Sequence, residues 1–67
     1  MTLGERIVML RKEKELTQSE LAMLCGLPRQ TICNYERDKR DPCLLNAICI
    51  ADVLDISLDR LVGRKER

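Results

Sequence analysis

The strongest constraint on how this chain folds is residues 17–35, which carry the signals for two short helices and a tight corner between them. Thr17 is followed three residues later by Glu20, and this pair at this spacing is a capping box that starts a helix. Gly26 tolerates the positive φ angle that ends a helix, so a helix is predicted from about residue 18 to residue 25. The apolar side chains expected to face the core are Leu21, Ala22, Leu24 and Cys25.

The second predicted helix, from about residue 28 to residue 37, has a polar outer face. Pro28 suits its first position, because the missing amide hydrogen costs nothing there. Ile32 and Tyr35 lie three residues apart and therefore point the same way, into the core. The opposite face carries Arg29, Gln30 and Asn34. Arginine pairs well with the edge of guanine, and glutamine or asparagine with that of adenine, so this face is a candidate for reading DNA bases.

Several stretches of the chain resemble the Cro/cI-type helix-turn-helix family of repressors. They are LRKEKELTQSELA at 10–22, GLPRQTICNYE at 26–36, DP at 41–42 and ISLDRL at 56–61. The resemblance extends over residues 3–63, in the order and spacing of that family's helices. It implies an all-α fold, a compact five-helix lambda-repressor-like bundle in which helices 2 and 3 form the helix-turn-helix.

The resemblance also implies a function and a role for individual residues. It implies a sequence-specific transcriptional regulator, acting as a repressor, that binds double-stranded DNA as a homodimer with helix 3 in the major groove. By position, the base contacts would be Arg29, Gln30, Thr31 and Asn34. The phosphate contacts would be Gln18, Arg37, Lys39 and Arg40. A structural salt bridge would join Arg11 on helix 1 to Glu36 at the end of helix 3.

Apolar spacing and capping residues predict the remaining helices. Thr2 and Glu5 repeat the capping box ahead of a helix that runs to about Glu13. Helix 4 is predicted from Asp41 or Pro42 to about residue 54, with Leu44, Ala47, Ile50, Ala51 and Leu54 facing inward. Ser57 is expected to cap a last helix that ends at Gly63, and its Leu58, Leu61 and Val62 should close the core.

Helix 4 carries more apolar residues than one buried side requires. Those left for the solvent side are Leu45, Ile48, Cys49 and Val53. An exposed apolar strip on a small domain predicts a partner, and the simplest partner is a second copy of the chain. The alternative is that helix 4 is buried more deeply than this pattern indicates.

Size and charge give weaker guidance. Sixty-seven residues suffice for a single domain, expected at 1–67 with its core at 3–63 and a frayed basic tail at 64–67. The net charge is only +1, but residues 27–40 hold four basic and two acidic side chains, whereas residues 43–63 hold three acidic and one basic. This asymmetry favours one basic, nucleic-acid-facing side. The alternative is that scattered charges merely keep a small domain in solution.

The sequence argues against catalysis and metal binding. It contains no histidine, no glycine-rich phosphate loop and no nucleophile paired with a base, so we expect no enzyme and no cofactor. Cys25, Cys33, Cys43 and Cys49 form no C-x-x-C pair, so free thiols are predicted rather than a metal site. The alternative is a redox or metal sensor, because Cys33 lies on the side expected to face DNA. Without a signal peptide or a membrane-spanning run, the chain is expected in the cytoplasm and not in a membrane.

One further function stays open at this stage. The apolar strip on helix 4 and the low net charge also suit a protein-interaction module, such as an antitoxin or an anti-repressor, with a regulatory protein partner. The polar helix 3 favours DNA binding instead.

Overall fold

The computed structural model describes residues 1–64, which form five helices and no strand. In chain order the helices are α1 (Leu3–Glu13), α2 (Gln18–Cys25), α3 (Arg29–Glu36), α4 (Leu44–Val53) and α5 (Leu58–Val62). The predicted all-α, five-helix fold is confirmed. Of the predicted basic tail at 64–67, residues 65–67 lie outside the described residues.

Short-range capping starts α1 and α2 at the predicted residues. Thr17 Oγ1 accepts from the amide of Glu20 at 3.0 Å, and the Glu20 carboxylate accepts from the amide of Thr17 at 2.9 Å. Thr2 and Glu5 make the same reciprocal pair at 3.1 and 2.9 Å. Donation from the Thr17 amide, and then from its hydroxyl, lowers the pKa of Glu20, because both hydrogen bonds favour the charged carboxylate. Gly26 ends α2 with a φ angle of 68°.

The core is aliphatic, with Tyr35 as its aromatic member. α3 packs against both α1 and α2, α4 packs on α2, and α5 contacts α1 and α4. The buried apolar residues are Ile7, Leu10, Leu21, Ala22, Ile32, Tyr35, Ala47, Ile50, Ala51, Leu54 and Leu61. α3 therefore has its inner face buried between two helices, and its outer face is left for other contacts.

Two helices begin later than predicted. α3 begins at Arg29, and Pro28 is its N-cap, with an extended backbone at ψ 144°. Proline fits there because an N-cap residue lies outside the helix while its carbonyl already accepts the first bond, here from Thr31 at 3.0 Å. α4 begins at Leu44 rather than near Asp41, because the backbone is still extended at Cys43, with ψ 166°.

Three residues predicted to face the core are exposed instead. They are Leu24, Leu44 and Val62, with 56%, 65% and 43% of their surface exposed. Leu24 lies nearly opposite Ala22 around α2, because two residues turn an α-helix by about 200°. The buried positions of α2 are Leu21 and Ala22.

Candidate nucleic-acid interface

The outer face of α3 presents the polar side chains predicted to contact bases. Arg29 and Gln30 are exposed, and Thr31 and Asn34 are half-buried. Gln30 Nε2 donates to Asn34 Oδ1 at 3.0 Å, which holds the two amides together one helical turn apart. Gln30 and Asn34 therefore share one surface, and Arg29 and Thr31 flank it on either side of the helix. Arg37, Lys39 and Arg40, predicted to contact phosphate, are exposed in the loop that follows α3.

Arg11 and Glu36 form a forked ion pair beneath this surface. Arg11 Nε lies 2.7 Å from Glu36 Oε2, and Nη2 lies 3.2 Å from Oε1. Their side chains are only 11% and 4% exposed. Arg11 Nη1 also donates to the carbonyl of Leu16 at 2.8 Å. The pair thus ties α1 to the end of α3 with both charges largely removed from water.

Gln18 connects the buried ion pair to the exposed face of α3. Its Nε2 donates to Glu36 Oε1 at 2.9 Å, and its Oε1 accepts from Arg29 Nη1 at 3.0 Å. Gln18, predicted as a phosphate contact, therefore has both ends of its amide engaged within the chain and one N–H left over. Arg29 keeps its other N–H donors while its guanidinium is held in place. This link between four side chains was not anticipated from the sequence.

Asp38 joins the end of α3 to the start of α1, a contact that the sequence did not indicate. Its backbone is left-handed, with φ 57°. Asp38 Oδ2 accepts from Thr2 Oγ1 at 2.6 Å, and Oδ1 accepts from the amide of Gly4 at 2.9 Å. A Cβ at Gly4 would lie 2.5 Å from the carbonyl oxygen of Glu36, so only glycine permits this approach. A glycine within the first turn of a helix was the available signal.

A groove of about 470 Å³ lies between α3 and the start of α4. Its lining includes Thr31, Asn34, Tyr35, Arg40, Asp41 and Asn46. Asn46 Nδ2 donates to the hydroxyl oxygen of Tyr35 at 2.9 Å. The sequence assigned Tyr35 to the core alone and gave Asn46 no role, because neither the groove nor this contact is visible in a helical pattern.

The apolar strip predicted on α4 is only partly exposed. Leu45 and Ile48 are 73% and 39% exposed, and Cys49 is also exposed, whereas Val53 is half-buried and packs against the core. On α2, which packs on α4, Met23 and Leu24 are 72% and 56% exposed. The apolar surface of the described residues is therefore broader on α2 than predicted and reaches less far along α4.

All four cysteines carry free thiols, two half-buried (Cys25 and Cys33) and two exposed (Cys43 and Cys49). Burial raises the pKa of the Cys25 thiol, and the nearby Cys49 adds to this. Residues 1–64 contain no group of three or more cysteine and carboxylate side chains placed to hold a metal ion. No helix in this range is long and apolar enough to cross a membrane.

Comparison with known proteins decides the family. A family model described as helix-turn-helix matches residues 7–61. The chain belongs to the helix-turn-helix family. Among its relatives is the immunity repressor protein of Bacillus phage phi105, which is 38% identical over 65 residues, or 97% of this chain and 45% of that protein. The chain spans about half the length of the curated relatives it matches.

Solved helix-turn-helix structures share the fold. The P22 c2 repressor, in complex with a synthetic operator, superposes with a TM-score of 0.90 at 28% identity, over 97% of this chain and 98% of that one. The restriction-modification controller protein C.AhdI from Aeromonas hydrophila gives 0.85 at 39% identity, over 88% and 89% of the two chains. The lambda-repressor-like arrangement implied by the sequence resemblance is confirmed.

Proposed function

We propose that this chain is the DNA-binding part of a sequence-specific transcriptional regulator, and that it acts as a repressor with α3 in the major groove. The observation that carries the proposal is the two-sided character of α3. Ile32 and Tyr35 bury its inner side, while Arg29 and Gln30 stand exposed on its outer side. An outward guanidinium and amide supply the donors and the acceptor that guanine and adenine edges require.

The relatives support this function by what their names state. The phi105 protein is an immunity repressor, and the P22 c2 repressor is in complex with a synthetic operator. We propose that residues 1–67 act as a single unit in the cytoplasm. We also propose that this unit has no catalytic activity, which is consistent with the absence of histidine from the sequence.

Base and phosphate contacts have different roles in this proposal. Arg29, Gln30, Thr31 and Asn34 contact base edges. Arg37, Lys39 and Arg40 contact phosphates, and the free N–H of Gln18 reaches a further one. Phosphate contacts fix the position of the domain on the duplex and make binding dependent on salt, whereas base contacts discriminate between sequences.

The regulator binds as a symmetric dimer, because one domain meets too few base pairs to select a site in a genome. Leu45 and Ile48 on α4 supply the exposed apolar surface for the second copy, together with Cys49. Val53 contributes less, since it is already half-buried. Two such domains would read half-sites about one helical turn of DNA apart.

Fluorescence anisotropy on a random-sequence duplex at several salt concentrations tests DNA binding without knowledge of the operator. The affinity should fall steeply with salt, with a log–log slope of about −3 for the three loop cations alone. An affinity that does not change with salt concentration would contradict the proposal.

Base reading is tested with Gln30→Ala and a site selected from a random DNA pool. The variant should bind the selected site about tenfold more weakly, because one base contact is lost, and should bind random DNA as the unsubstituted chain does. Lys39→Gln is the matched control, and it should weaken binding to both DNAs alike. Equal losses for Gln30→Ala on the two DNAs would remove Gln30 from the base contacts.

A second candidate is a protein-interaction module such as an antitoxin or anti-repressor with a regulatory protein partner. The exposed leucines Leu24, Leu44 and Leu45 favour it, because apolar side chains at 56%, 65% and 73% exposure suit a protein partner. The salt titration distinguishes the candidates, since a steep slope is expected only of a DNA-binding domain.

A further inference from the structure

Tyr35 connects the core to the groove beside the proposed DNA-facing surface. The residue is only 6% exposed, so its ring belongs to the core. It nevertheless lines the groove of about 470 Å³, together with Thr31, Asn34 and Arg40. A tyrosine in this position has a polar end that packing of the ring does not explain, since phenylalanine would fill the core equally well.

The contact with Asn46 determines whether the hydroxyl of Tyr35 can donate a hydrogen bond in the groove. Asn46 Nδ2 donates to Tyr35 Oη at 2.9 Å, so the oxygen acts as the acceptor in that contact. A phenol has one proton as well as its lone pairs, and that proton remains to donate to a group in the groove. The groove thus offers an oriented neutral donor, and Arg40 is among the other residues that line it.

The other groups of the groove indicate what could accept that proton. Arg40 and Asp41 both line it, so their charges offset one another, and net charge alone does not select an anion. Selection comes from donors, namely the hydroxyl of Tyr35 and the guanidinium of Arg40. Thr31 and Asn34 also belong to the outer face of α3, so a duplex whose bases meet that face has its sugar-phosphate backbone beside the groove.

We propose that the groove holds a backbone phosphate of the bound duplex, with the hydroxyl of Tyr35 donating to a phosphate oxygen. Asn46 is a positioning residue, because it acts on the phosphate through Tyr35. This inference rests on the proposed DNA-binding function and adds two residues to it. Because neighbouring contacts already hold the duplex on the domain, this phosphate is present at the groove at a high effective concentration. The groove therefore need not bind free phosphate.

Tyr35→Phe tests the contact, because it removes the hydroxyl and keeps the buried ring. On a random-sequence duplex its affinity should fall about 10- to 100-fold, the usual loss for a hydrogen bond to a charged group, with a similar fall on a selected site. Its salt slope should be unchanged, because no cation is removed. Arg40→Gln, in contrast, should reduce the slope by about 1, and Asp41→Asn should strengthen binding.

The positioning role of Asn46 is tested by a double-mutant cycle. Asn46→Ala should weaken binding in the unsubstituted chain and have no further effect in the Tyr35→Phe background, because the hydroxyl that it positions is already absent. A purely structural role would instead give additive losses of affinity, which would overturn the positioning role. Thermal unfolding of each variant checks that the fold is kept. If Tyr35→Phe does not fold, Asn46→Ala decides alone, and an unchanged affinity overturns the proposal.

The possible failures are distinguishable. If the unsubstituted chain shows a steep salt slope and Tyr35→Phe binds equally well, the groove contact is wrong and the DNA-binding function stands. If the unsubstituted chain shows no salt slope, both proposals fail. Inorganic phosphate added at matched ionic strength should not displace the duplex. Displacement would mean that the groove selects free phosphate, and would overturn its assignment to the duplex backbone.

Discussion

Gln18 Oε1, at the start of α2, accepts a hydrogen bond from Arg29 Nη1, at the start of α3, at 3.0 Å. Because the other end of the Gln18 amide donates to Glu36, a side chain on the outer face of α3 is linked to an ion pair inside the domain. A guanidinium held in this way loses less conformational entropy when it pairs with a base. The link therefore couples the stability of the domain to the geometry of its proposed reading surface.

Gln18→Ala should reduce discrimination between a selected site and random DNA, since it releases Arg29. A well-placed bidentate arginine contributes about 1–3 kcal/mol of discrimination, and part of this should be lost. Anisotropy on both duplexes measures the ratio. Ser19→Ala, at an exposed position next along α2, is the control and should leave the ratio unchanged. If Gln18 serves only as a phosphate contact, both affinities will instead fall by one factor.

Arg11→Ala should destabilise the fold strongly. It leaves Glu36 charged, 4% exposed and without its main partner, a situation that costs about 3–5 kcal/mol. Urea unfolding measures the loss. The control is Arg60→Ala, because Arg60 lies 3.8 Å from Glu13 in a pair whose side chains are 57% and 54% exposed. That exposed pair should contribute under about 1 kcal/mol. Similar losses for both variants would show that burial does not strengthen the Arg11–Glu36 pair.

Acid should weaken the start of α2 through Glu20. The hydrogen bonds from Thr17 hold the pKa of Glu20 below its ordinary value of 4.5. A carboxylate with a depressed pKa adds stability that is present above its unfolded pKa and lost as pH falls through its folded pKa. The free energy of unfolding should therefore decline as the pH drops below 4.5. Glu20→Gln keeps a cap without the titration, so its decline should be shallower, and parallel profiles would contradict this account.

Ile48→Lys should convert a dimer into a monomer if α4 forms the interface. A lysine in an apolar interface would lose its hydration without gaining a partner. Sedimentation velocity reports the mass directly. Met9→Lys on α1 is a matched control, because Met9 and Ile48 are exposed to nearly the same extent, 38% and 39%. A mass that stays dimeric in Ile48→Lys would exclude this face, and a monomeric Met9→Lys would show that the effect is not local.

Local features of the fold were predictable because their partners lie within one helical turn. The hydroxyl of Thr17 and the amide of Glu20 are three residues apart, so the chain itself brings them together. The same holds for Ser57, which caps α5 by accepting from the amide of Arg60 at 3.1 Å. The inward positions of Ile32 and Tyr35 follow likewise from their spacing on one helix.

The burial of α2 and the start of α4 were predicted less well. Leu24 is as apolar as Leu21, but only the placement of α3 and α4 against α2 decides which of them is covered. Thr17 caps α2 with its side chain, and a threonine is recognisable in the sequence as a cap. Cys43, the N-cap of α4, makes no side-chain capping hydrogen bond, so the sequence offered no local marker for the start of α4.

The sequence by itself determined the number and order of the helices, the corner at Gly26 and the family, since these depend on residue types at short, fixed spacings. The tertiary structure alone decided that Asp38 caps α1 and that Gln18 joins Glu36 to Arg29. It also decided that Asn46 meets the hydroxyl of Tyr35. Each of these contacts joins residues that lie far apart along the chain or on different helices. They form only once the hydrophobic core has set the distances between the helices, and no single segment encodes those distances.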